Sequence, residues 1–239
     1  MPQAPPATFG LLGMLAVRSW TGYELTQQVR RSLRFMWRSS EGHLYREQKR
    51  LVDLGWATVT DEAAGQRTRN RYTITDAGRA AFADWLATEP EEPHFQIEGL
   101  LRTFFGDQGS PEQLVSALHA TAHTARSMLG EMLGFVTEYL EEGGPLWMLE
   151  RGVGSPDADR IEFRGRPMYP ERLHVVALAI DIITQLLETL DTSLTDVAHQ
   201  VTTWHSTSDP SITPDTGDRL RRIQARGHAS ATHQLAEDR

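Results

Sequence analysis

Apolar positions with a helical period open the chain. Residues 9–17 (FGLLGMLAV) predict a short apolar helix, and a second helix begins after Thr21. Thr21 and Glu24 have the spacing of a capping box, in which each side chain accepts a hydrogen bond from the other residue's backbone amide. The apolar positions of this second helix recur every four residues, at Leu25, Val29 and Leu33. The pattern therefore predicts two successive helices, the second of them amphipathic.

A third helix, a hairpin and a fourth helix follow. Either Ser39 or Ser40 can cap the third helix, and Gly55 ends it. Strand-forming residues flank the turn-prone residues 64–66, which predicts a β-hairpin. Thr75 then caps the fourth helix. Three helices, a hairpin and a helix are the elements of a winged helix-turn-helix.

Longer helices make up most of the remaining chain. Residues 89–93 (EPEEP) have the composition of a linker, because prolines and repeated carboxylates resist packing. Apolar stripes of helical period run through 110–140 and 170–204, and the second stripe is broad enough for two packing partners. Between them, residues 145–169 lack a sustained period, which indicates a long loop. The predicted fold is mainly α with a small β-hairpin wing. Its segments are a winged helix-turn-helix domain at 1–90, a helical dimerisation and effector domain at 91–204, and a mostly disordered tail at 205–239.

Composition is that of a globular protein, but the charge is unevenly distributed. The 239 residues are 39% hydrophobic and include no cysteine, which excludes disulfides, thiolate metal sites and a cysteine nucleophile. A net charge of −8 alone argues against a nucleic-acid-binding protein. However, residues 1–80 carry twelve Arg and Lys against seven Asp and Glu, whereas residues 91–239 carry twelve against twenty-three. The basic N-terminal part favours a nucleic-acid partner.

The N-terminus and the apolar runs bear on cellular location. No basic residue precedes Arg18 in the apolar N-terminal stretch, and no apolar run is expected to reach the length of a membrane-spanning helix. We therefore predict a cytoplasmic protein without a targeting segment or a membrane partner.

Four short motifs stand in a characteristic order between residues 9 and 90. They are Gly22-Tyr23-Glu24 in the second helix, Leu44-Tyr45 in the third, the basic strand from Arg67 to Tyr72, and the Thr-x-x-Gly turn from Thr75 to Gly78. In this order they resemble the PadR family of transcriptional regulators. The segment FQIEGLLRTFFG and the later helices are similar to the longer C-terminal domain of one branch of that family. The resemblance implies a repressor that binds a pseudo-palindromic DNA operator as a homodimer and responds to a small hydrophobic or aromatic effector.

The third helix and the hairpin carry the candidate DNA contacts. Reading the major groove needs side chains that reach base edges from the first turns of a helix, and cations for the phosphates. The third helix supplies Ser40, His43, Tyr45, Arg46, Lys49 and Arg50, with Glu47 also expected on its outer face. On the hairpin, the two-residue period of a strand places Arg67, Arg69 and Arg71 on one face, suited to phosphates or a narrow minor groove. A solvated helix face and a charged edge strand are the alternative interpretations.

Other chemistries find little support in the sequence. His119 and His123 are spaced as metal ligands on a helix can be, but Ala120 lies where a metalloprotease has its glutamate. The motifs of a nucleophile elbow, a phosphate-binding loop or a dinucleotide fold are absent. We therefore expect no enzyme activity, no metal and no cofactor. Two alternatives remain: a winged-helix adaptor that binds a partner protein, and a metal-dependent sensor.

Overall fold

The computed structural model describes residues 4–64, 67–153 and 162–237, with the backbone alone at 63–64, 67–68, 167 and 228–237. The N-terminal elements are α1 (Pro6–Val17), β1 (Trp20–Thr21), α2 (Gly22–Ser32), α3 (Glu41–Asp53), β2 (Ala57–Ala64), β3 (Arg67–Ile74) and α4 (Asp76–Leu86). They are followed by α5 (Glu98–Phe104), α6 (Pro111–Leu140), α7 (Pro145–Glu150), β4 (Glu162–Phe163), β5 (Arg166–Pro167), α8 (Leu173–Val201) and α9 (Thr213–Glu237). The predicted fold, mainly helical with a small antiparallel wing, is confirmed.

Contacts group the residues into two compact units, each made of two parts of the chain. One unit combines Met1–His94 with Gly130–Gln185, and the other combines Phe95–Leu129 with Leu186–Arg239. Helices α6 and α8 therefore contribute to both units. The predicted division at residues 90 and 204 concerns functional domains and stays a prediction.

The helix starts of the N-terminal region form as the sequence predicts. Thr21 and Glu24 make a complete capping box at α2, with distances of 3.3 Å and 2.9 Å for its two hydrogen bonds. Ser40 and Thr75 accept backbone amide hydrogen bonds at the starts of α3 and α4. Gly55 ends α3 with a φ of +71°, a conformation that glycine adopts without a steric penalty.

A three-stranded antiparallel sheet completes the winged helix, in the order β1-β3-β2. Strand β1 escapes sequence prediction because two residues are too few to display a period. Its Trp20 pairs with Tyr72 of β3, and the indole Nε1 donates a hydrogen bond to the Met14 carbonyl at 2.9 Å. The predicted hairpin forms between β2 and β3, while its turn at 65–66 lies outside the described residues.

Helix α1 is the centre of the N-terminal core. Leu11, Leu12 and Leu15 are almost completely buried, and the inward leucines of α2 and α3 pack in the same cluster. Each such side chain contributes about 1.5–3 kcal/mol by its burial. This core fixes α2 and α3 relative to each other.

We expect Thr21→Ala to destabilise the winged helix by about 1 kcal/mol, because the amide of Glu24 loses its cap. Partial burial acts to raise the pKa of Glu24, but hydrogen bonds from Thr21 and the nearby Arg18 and Arg71 together hold it below its usual value. Stabilisation by a carboxyl group with a lowered pKa is present above its unfolded-state pKa and is lost as the pH falls. The loss should therefore be smaller at pH 3 than at pH 7.

Urea unfolding of both proteins at the two pH values measures this difference. Ser116→Ala, at an exposed position within α6, is the control and should change the free energy of unfolding by less than about 0.5 kcal/mol. An equal loss at both pH values would contradict the role of Glu24 in the cap.

The second unit has a small core of its own, where α6 packs against α8. Leu118 and Ala122 of α6 and Ala198 and Val201 of α8 are buried together. The guanidinium group of Arg126 makes two hydrogen bonds to the carboxylate of Asp191, at 2.7 Å and 3.0 Å. The predicted helical stripes of 110–140 and 170–204 thus account for this contact.

Two predicted irregular segments contain regular structure. Residues 145–169 include α7 and the β4–β5 hairpin, elements too short to impose a visible period, while 154–161 lie outside the described residues. Residues 205–239 contain α9 instead of a mostly disordered tail. The Asp209 side chain caps the turn before α9 at 2.8 Å, and arginine, glutamine and alanine favour helix locally. Leu220 and Ile223 remain exposed on α9, so local propensity rather than burial accounts for this helix.

The expectation that no apolar run is long enough to cross a membrane is wrong for one helix. Within the described residues, Pro170–Val201 meets the length and hydropathy of a membrane span, with only 11% of its most apolar window buried. Length and composition alone are weak evidence for a membrane, because the apolar stripe of a helix that packs against a partner gives the same pattern.

Candidate nucleic-acid interface

Helix α3 has one polar, basic face and one buried face. The Ser40 Oγ accepts a hydrogen bond from the His43 amide at 3.3 Å, which fixes the start of the helix. On this face Tyr45, Arg46 and Lys49 are exposed, and His43 and Arg50 are half-buried at its edges; Glu41 is exposed in the first turn of the helix. The six residues predicted on the third helix therefore lie at its cap, on its outer face or at the edges of that face.

Glu47 was expected on the outer face, and this expectation is wrong. Its side chain is 6% exposed, and its carboxylate accepts a hydrogen bond from the Thr8 hydroxyl. Position 47 lies three residues after Leu44 and four before Leu51, and therefore on the inner side of the helix. The hydrogen bond from Thr8 on α1 offsets part of the free-energy cost of burying this carboxylate.

A buried glutamine joins the two helices of the helix-turn-helix. The Gln48 Nε2 donates hydrogen bonds to the Gly22 carbonyl at 3.0 Å and to the Thr26 hydroxyl at 2.8 Å. A Cβ atom at position 22 would lie 2.9 Å from the Gln48 Oε1 and 3.2 Å from the Tyr72 ring. The glycine of the Gly22-Tyr23-Glu24 motif is therefore required by the close approach of α3 and the wing to the start of α2.

The three arginines of β3 differ in how they are placed. Arg69 is exposed and lies opposite Glu62 in the hairpin. Arg71 donates hydrogen bonds to the Glu62 carboxylate at 2.8 Å and to the Ser19 carbonyl at 3.2 Å. The side chain of Arg67 lies outside the described residues. Arg71 thus supports the wing, whereas Arg69 presents its guanidinium group to solvent.

A basic concavity lies beside the start of α3, in a region where the sequence analysis named no site. It encloses about 440 Å³ and is lined by Gln27, Val29, Arg30, Arg31, Arg34, Trp37, Arg38, Ser39 and Leu44. Its sequence signal is four arginines within the nine residues 30–38. Arg30 pairs with Glu41, Arg34 pairs with Glu131, and Arg31 lies 3.9 Å from Glu138. Arg38 is exposed and adds positive charge close to the α3 face.

The two histidines considered as metal ligands lie on the surface of α6. His119 and His123 are both exposed. In the part of the chain that the structure describes, no group of three or more His, Asp or Glu residues is placed to hold a metal ion. The structure therefore adds no support to the metal-dependent sensor.

Comparison with known proteins places this interface in a family. The model of the "Transcriptional regulator PadR-like family" matches residues 11–84, which span the winged helix from α1 to α4. The Negative transcriptional regulator PadR of Bacillus subtilis (strain 168) is 23% identical over 151 residues, 62% of this chain and 80% of that protein. The Probable transcriptional regulator Rv1176c of Mycobacterium tuberculosis (strain ATCC 25618 / H37Rv) is 31% identical over 84 residues, 35% of this chain and 44% of that protein.

Solved structures extend the likeness of fold beyond the winged helix. The crystal structure of Bacillus subtilis PadR in complex with operator DNA matches with a TM-score of 0.62 and 18% identity, covering 82% of this chain and 99% of that one. The structure of the same protein in complex with p-coumaric acid matches with a TM-score of 0.54 and 19% identity, covering 81% and 97%. These matches include the C-terminal helices. Residues 11–84 thus form a PadR-like winged-helix domain, and the chain as a whole is similar to transcriptional regulators of that family.

Proposed function

We propose that this regulator represses transcription by binding a pseudo-palindromic DNA operator as a homodimer, and that a small hydrophobic or aromatic molecule releases it. The observation that carries the proposal is the α3 surface, where basic and polar side chains are exposed while the opposite face is locked into the core. A rigidly held helix with such a face can enter the major groove. Binding to DNA takes place in the cytoplasm.

The polar face of α3 divides into base-reading and phosphate-binding parts. Arg46 is exposed one turn into the helix, where its two-pronged guanidinium group can bind the O6 and N7 atoms of a guanine. We assign contacts with the DNA to the residues of this face as follows. Ser40, His43, Tyr45 and Arg46 contact base edges, and Lys49 and Arg50 contact phosphates. Arg38, an exposed residue of the basic concavity, adds a phosphate contact.

The wing adds contacts that do not depend on the DNA sequence. Arg69 is the described arginine of β3 that faces solvent, and Arg67 belongs to the same strand face. Arg71 holds the strand in place through Glu62 and Ser19, so we assign it a supporting contact at the edge of the interface. Guanidinium groups on an exposed strand suit phosphates or a narrow minor groove.

An exposed apolar stripe on α8 supports the homodimer. Val175, Leu178 and Ile182 share one face of the helix and are 60%, 65% and 60% exposed. Apolar side chains in such a row favour a partner surface, and a two-fold axis would cover the stripe with its own copy. The dimer places two α3 helices at half-sites about one DNA turn apart.

The proposed repression and the proposed release by an effector are inferred from similar proteins. The Bacillus subtilis relative is named a negative transcriptional regulator, and the same protein has been crystallised with p-coumaric acid, an aromatic molecule. We extend both properties to this chain as part of the proposal. A shift in the spacing of the two α3 helices would lower operator affinity.

A gel-shift titration of the full chain on its own upstream DNA tests the proposal. We expect a specific shift that survives competitor DNA and weakens steeply with salt, because bound cations release counterions from the phosphates. A reporter gene behind the shifted fragment should be expressed less when the protein is present. A chain that shifts neither this fragment nor pools of genomic DNA would contradict the proposal and favour the adaptor.

A further inference from the structure

A second cavity lies where the end of α6, helix α7 and the start of α8 meet. It encloses about 440 Å³, within the size range of small-molecule sites. Its walls are mainly apolar and include Val136, Leu146, Leu149 and Ile180. This size and chemistry suit a molecule of one or two aromatic rings.

Polar groups occur at a few points of the lining. The Tyr139 hydroxyl, the Thr184 hydroxyl, the His174 ring and the Asp181 carboxylate belong to the residues that line the cavity. Burial raises the pKa of Tyr139, outweighing the opposite effect of nearby arginines, so its hydroxyl stays protonated and can donate a hydrogen bond. Among the described lining residues the acidic group is Asp181, and lysine and arginine do not occur. The lining thus disfavours a carboxylate ligand.

We propose that this cavity is the effector site and that it takes an aromatic molecule that is uncharged or carries an amine. The proposal rests on the proposed function, since it locates the effector of the same regulator. The apolar walls supply affinity, and Asp181 selects against anions by charge repulsion.

The end of α6 connects the cavity to the DNA-binding helices. Leu133, Val136 and Tyr139 line the cavity from this helix. Within the same two turns, Glu138 pairs with Arg31 in the last turn of α2, and Glu131 pairs with Arg34 just after that helix. Two faces of one helical segment therefore contact the ligand and α2.

Aromatic packing strengthens this connection. The rings of Phe35 and Phe135 pack edge to face with a centroid distance of 6.4 Å, and the Arg31 guanidinium lies 5.5 Å from the Phe135 centroid. Packed side chains transmit displacements because protein interiors compress little. A ligand that moves α6 would therefore move the end of α2. Helix α2 is in turn joined to α3 by the hydrogen bonds that Gln48 donates to Gly22 and Thr26, nearer the start of α2.

Calorimetric titration of the full-length protein with three matched indoles tests the site. Tryptamine, 3-ethylindole and indole-3-propionate share one ring and a short side chain but are cationic, neutral and anionic. We expect the first two to bind, and tryptamine to bind about threefold tighter than indole-3-propionate, because Asp181 is exposed and solvent screens its charge. Asp181→Asn should abolish this preference, whereas Glu188→Gln, an exposed acid of α8 outside the lining, should retain it. Ala177→Trp should fill the cavity and remove binding of all three.

The same ligands added to gel shifts test the coupling. Tryptamine should lower operator affinity of the wild type, and the double variant Glu131→Gln, Glu138→Gln should bind tryptamine while operator affinity no longer responds. Absence of calorimetric binding, or tighter binding of indole-3-propionate, would overturn the site. Because calorimetry uses no DNA, that failure is distinguishable from failure of the chain to bind an operator.

Discussion

The double variant Leu178→Glu, Ile182→Glu is expected to be monomeric and to lose at least about a hundredfold in operator affinity. In a symmetric dimer the two leucines and two isoleucines would be buried together, each contributing about 1.5–3 kcal/mol. Four glutamates in their place would also bring like charges together. Without the dimer, each winged helix binds one half-site alone and loses the high effective concentration of its linked copy.

Light scattering with size-exclusion chromatography measures the mass, and gel shifts measure the affinity. Thr192→Glu is the control, because it adds a carboxylate at an exposed position of α8 outside the stripe. Since Leu178 and Ile182 are exposed in the single chain, the variant should keep the helical circular dichroism of the wild type. A double variant that remains dimeric would place the two-fold axis elsewhere on the chain.

Local signals explain why so much of the winged helix could be predicted. The caps at Thr21, Ser40 and Thr75 each depend on a residue at most three positions away. Alternation between inner and outer positions likewise predicts the exposure of Arg46 and Lys49. Structural features that depend on residues within one helical turn of each other can be predicted from a single sequence.

Features that depend on distant residues could not be predicted. The position of Glu47 between Leu44 and Leu51 places it on the inner face of α3, but the hydrogen bond that satisfies its carboxylate comes from Thr8, thirty-nine positions earlier. Arg71 is held by Ser19, a contact that requires the strand pairing of β1 with β3. In both cases a tertiary partner satisfies the hydrogen-bonding groups of a charged side chain, and the hydrophobic period of the sequence does not identify that partner.

The effector cavity was beyond sequence reasoning for a related reason. The cavity is lined by α6, α7 and α8, and α7 has six residues, too few to show a hydrophobic period in the sequence. Its acidic group, Asp181, occupies an ordinary polar position of an amphipathic helix. Only the packing of the three helices identifies this position as part of a site.

Replacing Arg46 by alanine is expected to cost about 1–3 kcal/mol of operator affinity, a loss of about 5- to 150-fold, and to relax specificity at one base pair in each half-site. Binding to unrelated DNA should change little. Arg46→Lys keeps the charge but lacks the two-pronged geometry, so it should recover general affinity without recovering specificity. Both variants should unfold within about 0.5 kcal/mol of the wild type, because the side chain is exposed.

Comparison with Arg69→Ala tests whether α3 contacts the bases and the wing contacts the phosphates, as we propose. Removing a phosphate contact weakens binding to all sequences alike and lowers the slope of log affinity against log salt by about one. Gel shifts on operator and on scrambled DNA at several salt concentrations separate the two variants. If Arg46→Ala weakened all sequences equally while Arg69→Ala altered base preference, the wing would read the bases and α3 would bind the backbone. The locked inner face of α3 and the supporting contacts of Arg71 in the wing argue for the first arrangement.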